Sequence, residues 1–456
     1  MRICSTTQKT LLAATLLTIA LEAPSNAQSA TPLSRPVFSS SNYIEYLLDI
    51  GEGAEATSHI DLAFSDTFTD YFGIGSSQRQ FFAAMQTGLR AAATAAEVKP
   101  AVIYTFFQPE HLRVVLMRPE GPPIHFRIAV NRKTLLATVK ELQEEIRDPT
   151  ARRSTSYLKA AQQLYQWIVA PLKNELELFG IDTLIFVMDR GLRRVPFAAL
   201  HDGQQFLVEQ YSLSIIPSLY LTDTRVTQNL QDASVLAMGM SEQFPDNQAP
   251  LPAVPVEIET IANRLWQGEG FLNQDFTLNN LRQQREENPF RILHLATHGY
   301  FNPGAAENSF IQLWDEKLRI KTMSEQQWYD PPIELLVLSA CHTAVGDTQV
   351  ELGFAGLAVQ TGAKSVLASL WYVNDTATMA LMIEFYDRLR TASIKVAALR
   401  EAQIAMLRGE IYIKSGQLLG TIPEGIALPP ALVKLGDRDF VHPYYWAGFT
   451  VVGNPW

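Results

Sequence analysis

Four short apolar runs in the second half of the chain constrain its fold more than any other feature. SVLAMG (234–239), ILHLAT (292–297), ELLVLS (334–339) and KSVLASL (364–370) are nearly continuous in apolar residues. Runs this short, without polar alternation, suit strands covered on both faces. Between them lie stretches of helical character such as VEIETIANRLW and GFAGLAVQTG. Strand, helix, strand repeated in this way predicts right-handed crossovers and a mostly parallel sheet with helices on both faces, an α/β sandwich. In such sheets reactive groups collect just past the carboxyl ends of the strands.

The first half reads differently. AVIYTFF, HLRVVLM and IHFRIAV are rich in β-branched and aromatic residues and are separated by QPE and RPEGPP, the pattern of a meander. LLATVKELQEEI and SYLKAAQQLYQWIVAPLKNELELFG then space their apolar residues as amphipathic helices, the second closed by Gly180. TLIFVM (183–188) follows as a buried strand leading into the turn DRGLRRVPFAALHDG. Ahead of the meander, a linker rich in Ser and Pro precedes helix formers such as RQFFAAMQTGLRAAATAAEV, with no site chemistry among them.

A chain of 456 residues, 47% hydrophobic and 18% charged, buries a large core and leads one to expect two packed domains. Its net charge of −10, with no basic block, argues against a nucleic-acid partner, since such binding rests on neutralising phosphates. Residues 1–27 read as an export signal: Arg2 and Lys9, the apolar LLAATLLTIAL, and a small-residue cleavage site ending at Ala27. The apolar stretch is shorter than the roughly 20 residues that span a bilayer, so no stable membrane span is expected. Export to a periplasm, a thylakoid lumen or the extracellular space would remove Cys4 and leave Cys341 as the single cysteine, with no intramolecular disulfide.

Two strand ends carry reactive groups: ILHLAT runs into His298 and Gly299, and ELLVLS into Ala340, Cys341 and His342. Neighbouring parallel strands lie about 4.8 Å apart, which brings such ends within reach of each other. An ordinary thiol, with a pKa near 8.5, is mostly protonated at neutral pH, and an imidazole that takes its proton turns the sulfur into a nucleophile. His298 is the expected base. Gly299, lacking a side chain, lets its N–H approach a substrate carbonyl, and with the N–H of Cys341 it supplies an oxyanion hole. A cysteine behind an apolar run is by itself a buried hydrophobe; its position opposite a His-Gly strand end is what favours chemistry. His294 and His298 share an H-x3-H spacing, but HLATH has no acidic residue of the metalloprotease type and is not helical, so no metal or other cofactor is expected and His294 reads as a packed strand histidine. His342, adjacent to Cys341, points away from it in extended chain. The glycines of GFAGLAVQTGA do not make a dinucleotide loop.

HLATHGYF, LLVLSACHTAVGD, LGFAGLAVQTGAKSVLASLWYVND and HPYYWAGFTVVGN resemble, in order and spacing, the CHAT domain, a caspase-like family related to caspases, gingipains and separase. The resemblance runs from about residue 98 to 456. After the export signal (1–27) and the linker and helical segment (28–97), it implies a pseudo-caspase-like half (98–230) and a catalytic caspase-like half (231–456). The family's His-Cys dyad falls on His298 and Cys341, 43 residues apart, close to the roughly 50 of caspases. It also implies that SLWYVND walls the pocket for the residue before the cleaved bond, where Asp375 would receive Arg or Lys; the alternative is a turn acid at the start of the helix TATMALMIEFY. Asp347 and Glu351 are further acidic candidates. Asp189 and Arg190 lie in the inactive half, and HPYYWAGFTVVGNPW reads as a last strand with His442 and Trp446 packed at its entry. The 34-residue helical repeats that accompany many such domains are missing from the sequence. The resulting expectation is an exported cysteine endopeptidase acting on protein or peptide substrates, with a protein regulator as a further partner. The alternative is a latent caspase-like signalling or scaffolding module that binds protein partners.

Overall fold

A computed structural model describes residues 40–72, 78–226, 230–242, 244–245, 248–301, 309–326, 328–343 and 362–456; at 40, 71–72, 301, 320–321, 324 and 340–343 the description is of the backbone. Residues 1–27, expected to be an export signal, together with Asp347, Glu351 and most of GFAGLAVQTG, lie outside these residues. Ser40–Trp456 form one compact unit.

The meander of the first half is β1 (Pro100–Phe107), β2 (Leu112–Met117) and β3 (Ile124–Ile128), followed by β4 (Thr183–Val187) and β5 (Ser212–Ile215). The second half supplies β6 (Val235–Gly239), β7 (Gly268–Leu272), β8 (Ile292–Phe301), a hairpin of β9 (Phe310–Gln312) and β10 (Lys317–Arg319), β11 (Leu335–Thr343) and β12 (Ser365–Ser369). Four short strands, β13 (Tyr412–Lys414), β14 (Gln417–Leu419), β15 (Ile426–Ala427) and β16 (Arg438–Asp439), make a separate small sheet before β17 (Phe449–Gly453). The helices used below are α1 (Ser40–Asp49), α2 (Gly53–Phe72), α3 (Phe82–Ala96), α4 (Arg132–Arg147), α5 (Leu158–Ile168), α6 (Val254–Glu259), α7 (Leu278–Glu287), α8 (Asp375–Leu389) and α9 (Lys395–Leu407).

The main sheet runs β7, β6, β8, β11, β12, β17, β5, β4, β1, β2, β3, with the β9–β10 hairpin pairing the far end of β8. It consists of two parallel blocks of opposite direction. β7, β6, β8, β11 and β12 form one, and β17, β5, β4 and β1 the other. The antiparallel pair β12–β17 joins them, so the sheet crosses the 230/231 boundary unbroken. Every residue of β1, β4, β6 and β12 is buried, as required when both faces of a strand are covered.

Local sequence explains most element ends. Asn131 caps α4 by accepting from Thr134 N, and Leu135, Val139, Leu142 and Ile146 form its buried stripe. The long amphipathic stretch after it is not one helix: α5 stops at Ile168 and a tight 3₁₀ turn spans Ala170–Leu172, because Pro171 has no N–H to continue the ladder. Gly180 ends the segment with φ +58, a conformation suited to glycine. α2 is tied to the sheet by Asp61, which accepts from Tyr104 OH at 3.0 Å, Leu219 N at 2.7 Å and Tyr220 N at 3.1 Å. Asp189 accepts from Phe107 N at 2.9 Å, a structural link between β1 and the turn after β4.

At the entry to β17, Trp446 is fully buried and donates to Val441 O, while His442 Nδ1 accepts from Tyr444 N at 3.2 Å. Burial, with Arg152 nearby, pushes the His442 imidazole down to about 4. Its folded value therefore lies below the ordinary 6.5, so stability is intact above pH 6.5 and is lost as pH falls toward 4, where the unfolded chain binds the proton and the folded one does not. His442→Asn keeps an acceptor for Tyr444 N without this titration. Urea melts at pH 7 and pH 4 should show the wild-type chain losing up to about 3 kcal/mol more than the variant; equal losses would contradict the assignment.

Candidate functional site

β8 and β11 are paired in parallel along most of their length, and the pairing decides where the reactive residues stand. Leu335 to Leu338 face Ile292 to Leu295 one for one, then the register shifts, and Ala340, Cys341, His342 and Thr343 face His298, Gly299, Tyr300 and Phe301. Two residues of β8, Ala296 and Thr297, thus stand against Ser339 alone. Such a bulge re-aims the chain beyond it. It is held on both sides: Ala296 O accepts from Met240 N at 3.0 Å, and Thr297 Oγ1 donates to Gln312 O at 2.8 Å. An unbulged ladder would set His298 against Cys341 itself. The bulge sets it one residue back, on a diagonal of roughly 6 Å between Cα positions. Both strands also run further than the apolar patterns alone suggest, because pairing to each other carries the ladder through Phe301 and Thr343.

His298 is buried, 5% exposed. Its Nε2 lies 2.9 Å from Ala249 O, and because a carbonyl only accepts, Nε2 is the donor. That bond fixes the tautomer, with the proton on Nε2 and the lone pair on Nδ1. Phe244 packs edge-on against the ring at 4.5 Å between centroids. Both contacts come from the segment that leaves β6, which reaches the site because Gly239 has no side chain: a methyl there would lie 2.5 Å from Val254 Cγ1. The same segment is anchored by Leu251 N donating to Ser241 O at 2.9 Å.

His294, four residues earlier on β8, has a separate environment. Its ring is fully buried, Nε2 is 2.9 Å from Glu257 Oε1 on α6, and Tyr386 of α8 packs on it edge-on. The two histidines of the H-x3-H spacing therefore serve different partners. Among the described residues no group of three or more His, Cys, Asp or Glu is placed to hold a metal ion.

Gly299 is paired on both edges, with Cys341 on β11 and Ile311 on β9. Asp375 is the first residue of α8, yet Asn374 is the cap, accepting from Thr376 N and Ala377 N. Asp375 Oδ2 instead accepts from Ala253 N at 2.8 Å, and burial raises its carboxyl to about 7, with Glu257 adding to the rise. The register thus brings His298, Gly299 and the backbone of Cys341 to one place, while Asp375 bonds to the segment that holds His298. The residues not singled out from sequence are Ala249, Phe244 and Glu257. The available signal was the proline-rich APLPAVP (249–255), ten residues beyond the buried strand β6 and so a stiff stretch within the connection that leaves its carboxyl end.

No helix among the described residues is long and apolar enough to cross a membrane. No curated protein sequence matches the chain. Among solved structures it is similar to a Saccharomyces cerevisiae separase–securin complex, at 12% identity and a TM-score of 0.48, over 82% of this chain and 31% of that one. A second structure of that complex gives 11% identity and a TM-score of 0.48, over 88% and 34%. The Arg-specific cysteine proteinase gingipain R gives 12% identity and a TM-score of 0.38, over 71% and 75%. The chain therefore spans about a third of the separase chains it matches. The model of the CHAT domain matches residues 158–454, well over half of the sequence and the whole of the β8–β11 site, and the chain belongs to the CHAT domain family.

Proposed function

We propose that this protein is an exported cysteine endopeptidase whose nucleophile is Cys341 and whose base is His298. The observation that carries the proposal is the register of β8 on β11, which sets Gly299 beside Cys341 and His298 one residue away. His298 Nδ1 takes the thiol proton and the thiolate attacks the peptide carbonyl carbon, forming a carbon–sulfur bond and a tetrahedral oxyanion. N–H groups of Gly299 and Cys341 receive that oxyanion, each worth about 3 kcal/mol of barrier. The imidazolium returns its proton to the leaving amine as the C–N bond breaks. Water, deprotonated by the same nitrogen, then cleaves the thioester and restores the thiol. The Nε2 bond to Ala249 O keeps the ring in the required tautomer throughout and favours the imidazolium when it forms. With Oδ2 bound to Ala253, Asp375 offers a basic substrate side chain one oxygen at most. Export rests on the N-terminal pattern of residues 1–27, and the net charge of −10 favours protein over nucleic-acid partners.

A second reading, a latent module that binds protein partners, is favoured by one observation. The ladder on both edges of Gly299 directs its N–H toward a paired strand, so a working oxyanion hole requires the end of β8 to open. A regulator that loosens the β9 hairpin would then switch activity on.

Acyloxymethyl ketone probes carrying Arg, Lys or an uncharged residue separate the two readings. The wild-type chain should be labelled once, Cys341→Ala not at all, and His298→Ala at least about 100-fold more slowly. Label that survives Cys341→Ala, or that no probe delivers to the wild-type chain, would overturn the peptidase.

A further inference from the structure

The segment between β6 and α6 makes two hydrogen bonds at the site. Ala249 O holds His298 Nε2, and four residues later Ala253 N donates to Asp375 Oδ2. Between the two contacts stand Pro250 and Pro252, which fix their own φ angles, and Leu251, which is fully buried and bonded to Ser241 O. Few torsions are left free between one contact and the other, so 249–253 acts as a strut and not as a hinge. A displacement at Ala253 is therefore delivered to Ala249.

Asp375 has no evident structural duty other than this one. α8 is capped by Asn374, whose side chain serves both Thr376 N and Ala377 N. No Lys, Arg or His pairs with Asp375 among the described residues, and the titratable groups facing it are Glu257 and Tyr372, neither a source of positive charge. Removing a carboxylate from water without a cation is unfavourable, and its folded value near 7 reflects that cost. Among the described residues, the side-chain hydrogen bond it makes goes to the strut that ends on His298.

We propose that Asp375 is a positioning residue: through the strut 249–253 it sets the Ala249 carbonyl against His298 Nε2 and so fixes the aim of the imidazole. The proposal rests on the peptidase reading for its consequence, but its geometry is independent of it. It also replaces a pocket role for Asp375, because an acid that holds a backbone N–H 122 residues away acts on every substrate alike.

The test uses the full chain with ¹⁵N-labelled histidine, the signal of His298 being identified by its loss in His298→Ala. Asp375→Ala leaves Ala253 N–H without its acceptor and should lower the His298 pKa by about half a unit or more, since the fixed carbonyl that favours the imidazolium is lost. Probe labelling should slow about tenfold or more, with apparent affinity little changed and the same loss for Arg and uncharged probes. Asp375→Asn keeps an oxygen for Ala253 N–H and should recover most of both losses. Asp375→Ser starts a helix well but is too short to reach the strut, and serves if the alanine variant does not fold. An unshifted His298 in folded Asp375→Ala or Asp375→Ser would overturn the proposal. So would a loss confined to Arg and Lys probes and shared by Asp375→Asn, which is the behaviour of a pocket acid. If no probe labels the wild-type chain, the peptidase reading fails while the His298 titration still decides the role of Asp375.

Discussion

The parallel pairing of β8 with β11 is the constraint on which the site depends. Leu293, Leu295, Leu336, Val337 and Leu338 are all buried at its base, each contributing about 2 kcal/mol relative to exposure. Both faces of this base are covered, so a one-residue slip would interchange the side chains packed on them and mismatch each with its layer, and the apolar base of the ladder thereby holds the register of its polar top. The placement of residues 298, 299 and 341 thus follows from packing several residues away. The bulge at Ala296 and Thr297 is the one adjustment, and it is secured by bonds to the segment after β6 and to β9.

Around that ladder, one connecting segment carries three connections to neighbouring elements. Ala249 accepts from His298, Ala253 donates to Asp375, and Glu257, a turn into α6, bonds His294 in a fully buried pair. β8 is therefore held at two histidines by the same stretch of chain, and that stretch is held in turn by the start of α8. A site built this way holds its imidazole through a backbone carbonyl, Ala249 O on His298 Nε2.

Much of this was legible in the sequence, and the parts that were not share a physical reason. Continuous apolar runs and helical spacing suffice to place β6, β8, β11 and β12 in a parallel block, because covered strands leave no other composition. His298, Gly299 and Cys341 stand out since strand ends in such sheets lie together. Ala249 does not stand out, because its contribution is a carbonyl that every residue type possesses. The bulge is equally silent: Ala296 and Thr297 fit a regular strand, and only their bonds to Met240 and Gln312 distinguish them. Asp375 was visible as an acid in the right region, but its partner is a backbone N–H brought near by tertiary folding. Pro171 was a visible sign of the break after α5, but the amphipathic spacing continues through it and reads as one helix.

The central claim is that His298 activates Cys341, and the reactivity of the thiol measures it most directly. Iodoacetamide alkylation followed at the Cys341 peptide as a function of pH reports the thiolate fraction in the wild-type chain and in His298→Ala. The account predicts a wild-type midpoint below the ordinary value of about 8.5 and a return toward that value in the variant. Superimposable profiles in the two chains would contradict it.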